Sequence, residues 1–222
     1  MSVCIVNMKT YDGCYGAKGL EMALALQKIS GDFSSDTILA VCAADIRLFT
    51  ENLSIPVYAQ HVDPFPPGGH TGAVLADAVA LAGASGTLIN HSERRLTLAD
   101  IEGSIRSAKG CGLATVVCSN DVEVSAAAAV LGPDRIAMEP PELIGGDVSV
   151  TNASPEVIHS TVTRVTTIAP EVGILCGAGV KNGADARKAI ELGTEGVLVA
   201  SGIVRAPDPG AALADILAGM ES

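Results

Sequence analysis

The sequence contains no tryptophan, and aromatic residues make up only 3% of its 222 residues. Its core must therefore be filled mainly by Ala, Val, Leu and Ile, within an apolar fraction of 48%. Aliphatic side chains of this kind are typical of strands that are buried on both faces and packed against alanine-rich helices.

Positive charge is also scarce. The chain has 14 Lys and Arg residues against 25 Asp and Glu residues, a formal net charge of −11 at pH 7. A surface of this sign repels nucleic acid and anionic membranes, so neither is an expected partner. An anionic small substrate would need a local cationic or backbone N–H site to overcome the overall field.

Long apolar runs and paired cysteines are missing as well. No apolar run approaches the roughly 20 residues that span a bilayer, and the N-terminus lacks the basic and apolar regions of a signal peptide. The six cysteines form no C-x-x-C pair, and no Cys/His set has zinc-ligand spacing. We therefore expect buried free thiols, no metal site and a cytoplasmic location.

Short apolar segments alternate with longer helical patterns along the whole chain. Each of the short segments is rich in Val, Ile and Leu. Such segments predict strands buried in a parallel sheet. The predicted strands are residues 3–8, 37–42, 56–60, 86–89, 114–118, 135–139, 172–176 and 196–200.

Eight strands that are each followed by a helix predict a closed (β/α)8 barrel of the α/β class, with one domain over residues 1–222. The chain is short for this fold, which typically takes about 250 residues. We therefore expect a compact barrel with shortened helices, the shortest at 45–50, and a helix at 72–82 after the third strand. An open doubly wound sheet is the alternative, but no G-x-G-x-x-G follows the first strand.

Polar side chains follow three predicted strands, at the ends where such a barrel carries its active site. Asn7 and Lys9 are two residues apart and can point to the same side of the first strand. His91 follows the fourth strand, and Glu139 ends the sixth. The structural alternatives are a solvated lysine, a structural histidine and a strand that runs into a plain turn.

The residues after Glu139 have the composition of a lid. They read PPELIGG, which combines two prolines, an apolar tip and two glycines. Closure of such a loop expels water and strengthens a nearby carboxylate, which suits proton abstraction next to a carbonyl. His91 precedes a Ser92-Glu93 pair that could begin a short helix, whose dipole would lower the imidazole pKa and favour the neutral form.

Two turns of small residues follow the last two strands and indicate a phosphate site. They read CGAGV at 176–180 and VASG at 199–202. Such turns let backbone N–H groups approach an oxyanion, and many barrels bind phosphate at these two loops. The alternative is that the glycines are needed only for tight turns.

Together, these motifs resemble the triosephosphate isomerase family, over the whole chain and in order. The family's N-x-K motif is at 7–9, its highly specific H-S-E-R-R block at 91–95, its E-P lid at 139–145 and the tip of its intersubunit loop at 69–72. The short chain and the Pro-Pro-Glu lid resemble the compact archaeal branch. The chain departs from many members at Glu142, a common Trp position, at Gly177-Ala178-Gly179 in place of Gly-Gly-Ser, and at the lid end Gly145-Gly146-Asp147.

The resemblance implies interconversion of dihydroxyacetone phosphate and glyceraldehyde 3-phosphate, in glycolysis and gluconeogenesis, without a metal or cofactor. It implies Glu139 as the base and, as is known for this family, a neutral histidine as electrophile, here His91. Lys9 and Asn7 complete the catalytic set. The implied substrate-binding residues are Asn7, Met8, Lys9, Ile144, Gly145, Gly179, Ala200 and Ser201. The implied supporting residues are Glu93 beside Lys9, Arg94 between loops, and Thr71, which would reach a neighbouring subunit.

The expected partners are therefore a triose phosphate and further copies of the chain, as a dimer or a tetramer. The apolar, proline-rich loop at 63–72 suggests an interface, although it could also fold onto its own barrel. Two rival functions are another phosphate-binding barrel enzyme, such as a lyase or synthase, and an inactive barrel that serves as a binding protein. The H-S-E-R-R block argues against the first, and the presence of Lys9, His91 and Glu139 argues against the second.

Overall fold

The computed structural model describes residues 2–139 and 155–222. Eight parallel strands close into a barrel in chain order, with the last strand paired to the first. They are β1 Val3–Asn7, β2 Asp36–Val41, β3 Val57–Ala59, β4 Gly86–Ile89, β5 Ala114–Ser119, β6 Arg135–Met138, β7 Gly173–Cys176 and β8 Gly196–Val199. Each lies within one residue of its predicted ends. The prediction of a (β/α)8 barrel is confirmed, and the closed sheet excludes the open alternative.

Helices cover the outside of the barrel. In the described part of the chain they are α1 Gly16–Ser30, α2 Ile46–Thr50, α3 Ala76–Leu81, α4 Leu98–Gly110, α5 Val122–Ala129, α6 Pro155–Ile168, α7 Gly183–Glu191, α8 Ser201–Val204 and α9 Pro209–Met220, with a 3-10 turn at Ala43–Asp45. Several begin at a side-chain cap, as where Asp208 Oδ1 accepts from the Ala211 N–H at 3.0 Å. The single-domain organisation over residues 1–222 stays a prediction.

Two helix predictions need correction. The five-residue α2 is short, but the four-residue α8 is shorter within residues 2–139 and 155–222. Helix α3 begins at Ala76 rather than at residue 72. The reason is that Asp63 holds Val74 in the loop: the Asp63 N–H donates to the Val74 carbonyl at 2.8 Å, and the Val74 N–H donates to Asp63 Oδ2 at 2.7 Å.

The core has two layers because side chains alternate along each strand. In β1, Val3 and Ile5 pack inside the barrel, whereas Cys4 and Val6 pack against the helices. The same alternation continues beyond the apolar part of each strand. Asn7 therefore points with Ile5 towards the barrel axis, at the end where the chain leaves the sheet.

The helices and the cysteines bear on two predictions, one about membrane spans and one about free thiols. Among the described residues, no helix is long and apolar enough to cross a membrane. All six cysteines are free thiols, and four of them are buried: Cys4, Cys14, Cys118 and Cys176. The expectation of unpaired thiols is confirmed, although Cys42 and Cys111 are only partly buried.

Candidate active site

The carboxyl ends of the strands surround one pocket that contains the polar residues singled out by the sequence. Asn7, Lys9, His91 and Glu139 all line it. The two small-residue turns line its other side, through Gly179, Ala200, Ser201 and their neighbours. Closure of the barrel thus places a carboxylate, an imidazole and an ammonium group opposite a set of backbone N–H groups.

Glu139 is the deepest ionisable group of this pocket. It continues β6 towards the barrel axis, and its N–H donates to the Ser119 carbonyl at 2.7 Å. Only 3% of the residue is exposed. Burial raises the pKa of its carboxyl group to about 7, although the Cys118 thiol and the Lys9 charge act in the opposite direction. A buried carboxylate with such a pKa is a suitable base near neutral pH.

The two Glu139 oxygens differ in their surroundings. Oε1 lies 3.7 Å from His91 Nε2. Oε2 is buried, and no side chain or backbone group of residues 2–139 and 155–222 forms a hydrogen bond of good geometry with it. The Cys118 thiol is nevertheless close enough to favour the ionised form. An oxygen without a strong partner is available to accept a proton from a bound molecule.

His91 is held as a neutral imidazole with a defined tautomer. The Glu93 N–H donates to His91 Nδ1 at 3.2 Å, which leaves the proton on Nε2, the nitrogen that faces Glu139. Burial lowers the pKa of His91 to about 4, and the Lys9 charge contributes in the same direction. The imidazole therefore stays uncharged at neutral pH and can only donate through Nε2.

The expected helix after His91 is absent. Residues 92–94 form a single turn, closed by the Arg94 N–H on the His91 carbonyl at 2.8 Å, and α4 begins only at Leu98. The prediction of a neutral His91 agrees with its lowered pKa, but the helix dipole invoked for it was wrong. Burial and a neighbouring cation are the causes instead.

Lys9 occupies a strained position. Its φ is 50°, in a left-handed region that costs a non-glycine residue about 1–2 kcal/mol. Its N–H donates to Asn7 Oδ1 at 3.0 Å, and its ammonium group lies 2.9 Å from Glu93 Oε1. The Lys9 side chain is 12% exposed, whereas that of Glu93 is 61% exposed, so water screens this ion pair from one side.

The far side of the pocket presents backbone donors. Gly179 has a φ of 68°, a conformation that glycine adopts without strain. Ser201 begins α8, and the first N–H groups of a helix have no acceptor within it. A Cβ on Gly202 would lie 2.7 Å from the Val180 carbonyl oxygen, so the two turns are in close backbone contact. Such a concave set of N–H groups is suited to an oxyanion.

Comparison with known proteins agrees with this arrangement. The family model described as triosephosphate isomerase matches residues 2–219. The triosephosphate isomerase of Methanothermus fervidus is 46% identical over 218 residues, which cover 98% of each chain. That of Methanocaldococcus jannaschii is 47% identical over 213 residues, 96% of this chain and 97% of the other. This chain belongs to the triosephosphate isomerase family.

A solved structure adds agreement on the fold. The crystal structure of triosephosphate isomerase from Bartonella henselae aligns with a TM-score of 0.81 at 18% identity, and the alignment covers 100% of this chain and 99% of that one. At this identity the likeness concerns the barrel alone. The much higher identity to the methanogen proteins confirms the predicted resemblance to the compact archaeal branch of triosephosphate isomerases.

Not every residue implied by the resemblance reaches the pocket. Met8 is fully buried in the layer between barrel and helices and does not line the pocket, because its side chain alternates with that of Asn7. The prediction of Met8 as a substrate contact is therefore wrong for its side chain. Ile144 and Gly145 lie outside the described residues, as do the Glu142 and Gly145-Gly146-Asp147 departures.

The supporting residues lie next to the pocket. Arg94 contacts Asp63 Oδ1 at 3.3 Å and lines a second cavity together with Lys9 and Glu93. Thr71 is exposed and lines a third cavity, beside Phe65 and Arg94. Within one chain Thr71 lines neither of the two cavities that contain Asn7 and Lys9.

Sequence reasoning missed several contributors to the site of this triosephosphate isomerase family member. Asn90 has a φ of 60° and directs the chain so that the following His91 faces the pocket. Its amide nitrogen donates to the Cys118 carbonyl at 2.9 Å, and its oxygen accepts from the Leu96 N–H at 2.8 Å. Asparagine tolerates a positive φ better than most residues, so an Asn directly before the histidine could have indicated this turn of the backbone from the sequence. Nothing in the local sequence marked Tyr11, which also lines the pocket.

Proposed function

We propose that this chain interconverts dihydroxyacetone phosphate and glyceraldehyde 3-phosphate by proton transfer through an enediolate, as a step of glycolysis and gluconeogenesis. The observation that carries the proposal is the buried Glu139 carboxylate 3.7 Å from the Nε2 atom of a neutral His91, in a pocket that also contains Lys9. Membership of the triosephosphate isomerase family supports the same reaction.

Glu139 acts as the base. It removes a proton from the carbon next to the substrate carbonyl and returns it to the neighbouring carbon. Its pKa of about 7 means that a substantial fraction is ionised at neutral pH, while burial keeps the carboxylate a stronger base than one in water. Oε2, which has no good hydrogen bond among the described residues, is the oxygen best placed to take the proton.

His91 stabilises the charge that develops on the substrate oxygen. Its Nε2–H donates a hydrogen bond to the enediolate, and the Glu93 N–H on Nδ1 maintains this tautomer. The proton affinity of a neutral imidazole donor is closer to that of the enediolate oxygen than the proton affinity of an imidazolium donor is. The neutral electrophilic histidine is an established feature of this enzyme family.

Lys9 and Asn7 hold the anionic substrate. The Lys9 ammonium group supplies local positive charge in a protein whose net charge is −11, and its hydrogen bond to Glu93 orients it. The N–H groups of Gly179, Ala200 and Ser201 bind the phosphate opposite. Ile144 and Gly145 would complete this site from the lid, a role that rests on the resemblance alone.

The two rival functions receive less support. Another phosphate-binding barrel enzyme would share the fold and the glycine turns, but the full-length match is to triosephosphate isomerases. An inactive barrel would not need a buried carboxylate with a raised pKa beside a neutral imidazole. Both features carry a cost in folding free energy, which is expected where chemistry requires them.

We also propose assembly into a homo-oligomer, a dimer or a tetramer, and a cytoplasmic location. The loop at 63–72 carries a stacked Phe65–His70 pair with ring centroids 4.5 Å apart, and Phe65 is 40% exposed. An exposed, rigid apolar projection favours an interface. Thr71 at its tip would then enter the cavity beside Lys9 and Glu93 of a second copy.

A coupled assay with glyceraldehyde 3-phosphate tests the function directly, with Glu139→Asp as the matched variant. Shortening the side chain withdraws the carboxylate by about 1 Å, and misplacement on this scale lowers kcat by at least ~10²-fold. We expect the wild type to turn over substrate and the variant to keep the wild-type circular dichroism spectrum. An inactive wild type would contradict the proposed reaction, and a near-normal kcat in the variant would exclude Glu139 as the base.

A further inference from the structure

The strained backbone at Lys9 requires something to hold it. β1 ends at Asn7, the Met8 N–H makes one more sheet-like bond to the Ala40 carbonyl at 3.0 Å, and Lys9 then turns away at a φ of 50°. A lysine in this conformation relaxes unless its surroundings prevent it. Whatever prevents this relaxation also determines where the ammonium group can reach.

The N–H of the strained Lys9 is bound by Asn7 Oδ1, at 3.0 Å. Gln60 is the residue that binds its carbonyl group. Its Nε2 donates to the Lys9 carbonyl at 3.0 Å and to the Ala40 carbonyl at 3.2 Å. Two acceptors around one amide group identify that group as the NH2 side. Among the described residues, no other group donates a hydrogen bond to the Lys9 carbonyl.

The Gln60 backbone is itself anchored. The residue follows β3 directly, and its N–H donates to the Val41 carbonyl at the end of β2, at 3.1 Å. One residue therefore connects the carboxyl ends of β1, β2 and β3. The three contacts fix the side chain from a rigid part of the barrel, while the opposite end of Lys9 is held by the exposed Glu93.

We propose that Gln60 is a positioning residue for the reaction: it holds the Lys9 peptide group in its strained conformation and so keeps the ammonium group in the pocket. The proposal rests on the function proposed above for Lys9. If the Gln60 amide is lost, Lys9 can relax to an ordinary conformation, and its side chain leaves the pocket that it shares with His91 and Glu139.

Displacement of Lys9 should change the pH dependence of the reaction, which a general loss of folding stability would not do. The Lys9 charge lowers the pKa of Glu139. Moving that charge away raises the pKa of the base, so the acid limb of kcat/KM moves to higher pH. The affinity for a dianionic enediolate mimic falls at the same time, because its countercharge is gone.

The test compares Gln60→Met, which has a similar length but no donor, with Gln27→Met as the matched control. Gln27 also anchors a loop through its amide, with Oε1 accepting from the Ser54 N–H at 2.6 Å, but it lies on the outer helix α1, away from the pocket. We expect Gln60→Met to lower kcat/KM by about tenfold or more, to weaken binding of 2-phosphoglycolate in parallel and to raise the midpoint of the acid limb. Gln27→Met should leave all three unchanged.

Gln60→Asn repeats the test in case the methionine variant does not fold. It keeps an amide but is one methylene shorter, so the amide no longer reaches both carbonyls. A folded variant with kcat/KM within about twofold of the wild type and an unmoved acid limb would overturn the proposal. A variant with a lower melting temperature but wild-type kinetics would overturn it as well. So would a variant with a lower kcat/KM whose acid limb has the same midpoint as in the wild type. Failure of the wild type to isomerise triose phosphate would instead refute the proposed function.

Discussion

Gly177 offers a sharp test of how the site is built, because a side chain there would collide with Glu139, the proposed base. An ideal Cβ placed on Gly177 lies 2.5 Å from Glu139 Cγ, 3.2 Å from Cδ and 3.3 Å from Oε1. Ordinary contact begins at 3.4 Å, so Cγ would have to move by about 0.9 Å (3.4 − 2.5). Gly177→Ala should therefore displace the carboxylate without removing any atom of it.

The backbone on both sides of this contact is fixed, which assigns the movement to the Glu139 side chain. The Gly177 N–H donates to the Met138 carbonyl at 2.9 Å, and the Glu139 N–H donates to the Ser119 carbonyl at 2.7 Å. A displacement of about 1 Å in a reacting group can lower the rate by ~10²-fold. Overpacking at a buried position costs a further ~1–3 kcal/mol of folding free energy.

Steady-state kinetics with glyceraldehyde 3-phosphate measures the effect. We expect kcat of Gly177→Ala to fall by about 10²-fold while the variant remains folded. Gly110→Ala is the control, because a Cβ at this end of α4 would meet nothing within 4 Å. A kcat for Gly177→Ala within about threefold of the wild type would refute the reasoning, since the base would then tolerate the displacement.

Two further predictions concern pH and assembly. Since burial raises the pKa of Glu139 to about 7, the ionised base is lost as pH falls, and kcat/KM should decline below about pH 7. His91, with a pKa of about 4, should add no limb near pH 6.5. A kcat/KM that stays flat from about pH 8 to pH 6 would therefore contradict the raised pKa of Glu139. The wild type should sediment as an oligomer, and deletion of residues 66–70 should yield a folded monomer with greatly reduced turnover. A fully active wild-type monomer at nanomolar concentration would exclude the proposed interface.

Local sequence patterns predicted most of the fold. All eight strands were found within one residue of their ends, because a short run of branched aliphatic side chains is nearly always buried on both faces of a parallel sheet. The errors concern places where a distant residue intervenes. α3 begins late because Asp63 binds Val74, and the turn after His91 does not continue into a helix.

The sequence singled out four polar residues that share a pocket in the structure, but not the causes of their protonation states. Asn7, Lys9, His91 and Glu139 were identified from their positions after apolar runs and from the H-S-E-R-R block, and they do line one pocket. Met8 was predicted to bind substrate because it lies between Asn7 and Lys9 in the N-x-K motif. Side chains alternate along the strand, and this places the Met8 side chain outside the pocket. The cause of the neutral His91 was also misassigned, because burial depends on the packing of the whole barrel and not on the next two residues.

The sequence by itself determined the class of fold, the order of the strands and the polar side chains proposed for the reaction, since these follow from periodicity and from residues adjacent in the chain. Only the tertiary structure decided how these side chains behave. The raised pKa of Glu139 depends on its complete burial. The space that Gly177 leaves for Glu139 and the hydrogen bond from the Gln60 amide to the Lys9 carbonyl each involve residues that are 38 and 51 positions apart, respectively. Such distances and burial exist only once the barrel has closed, because closure brings the strand ends together and removes water from between them.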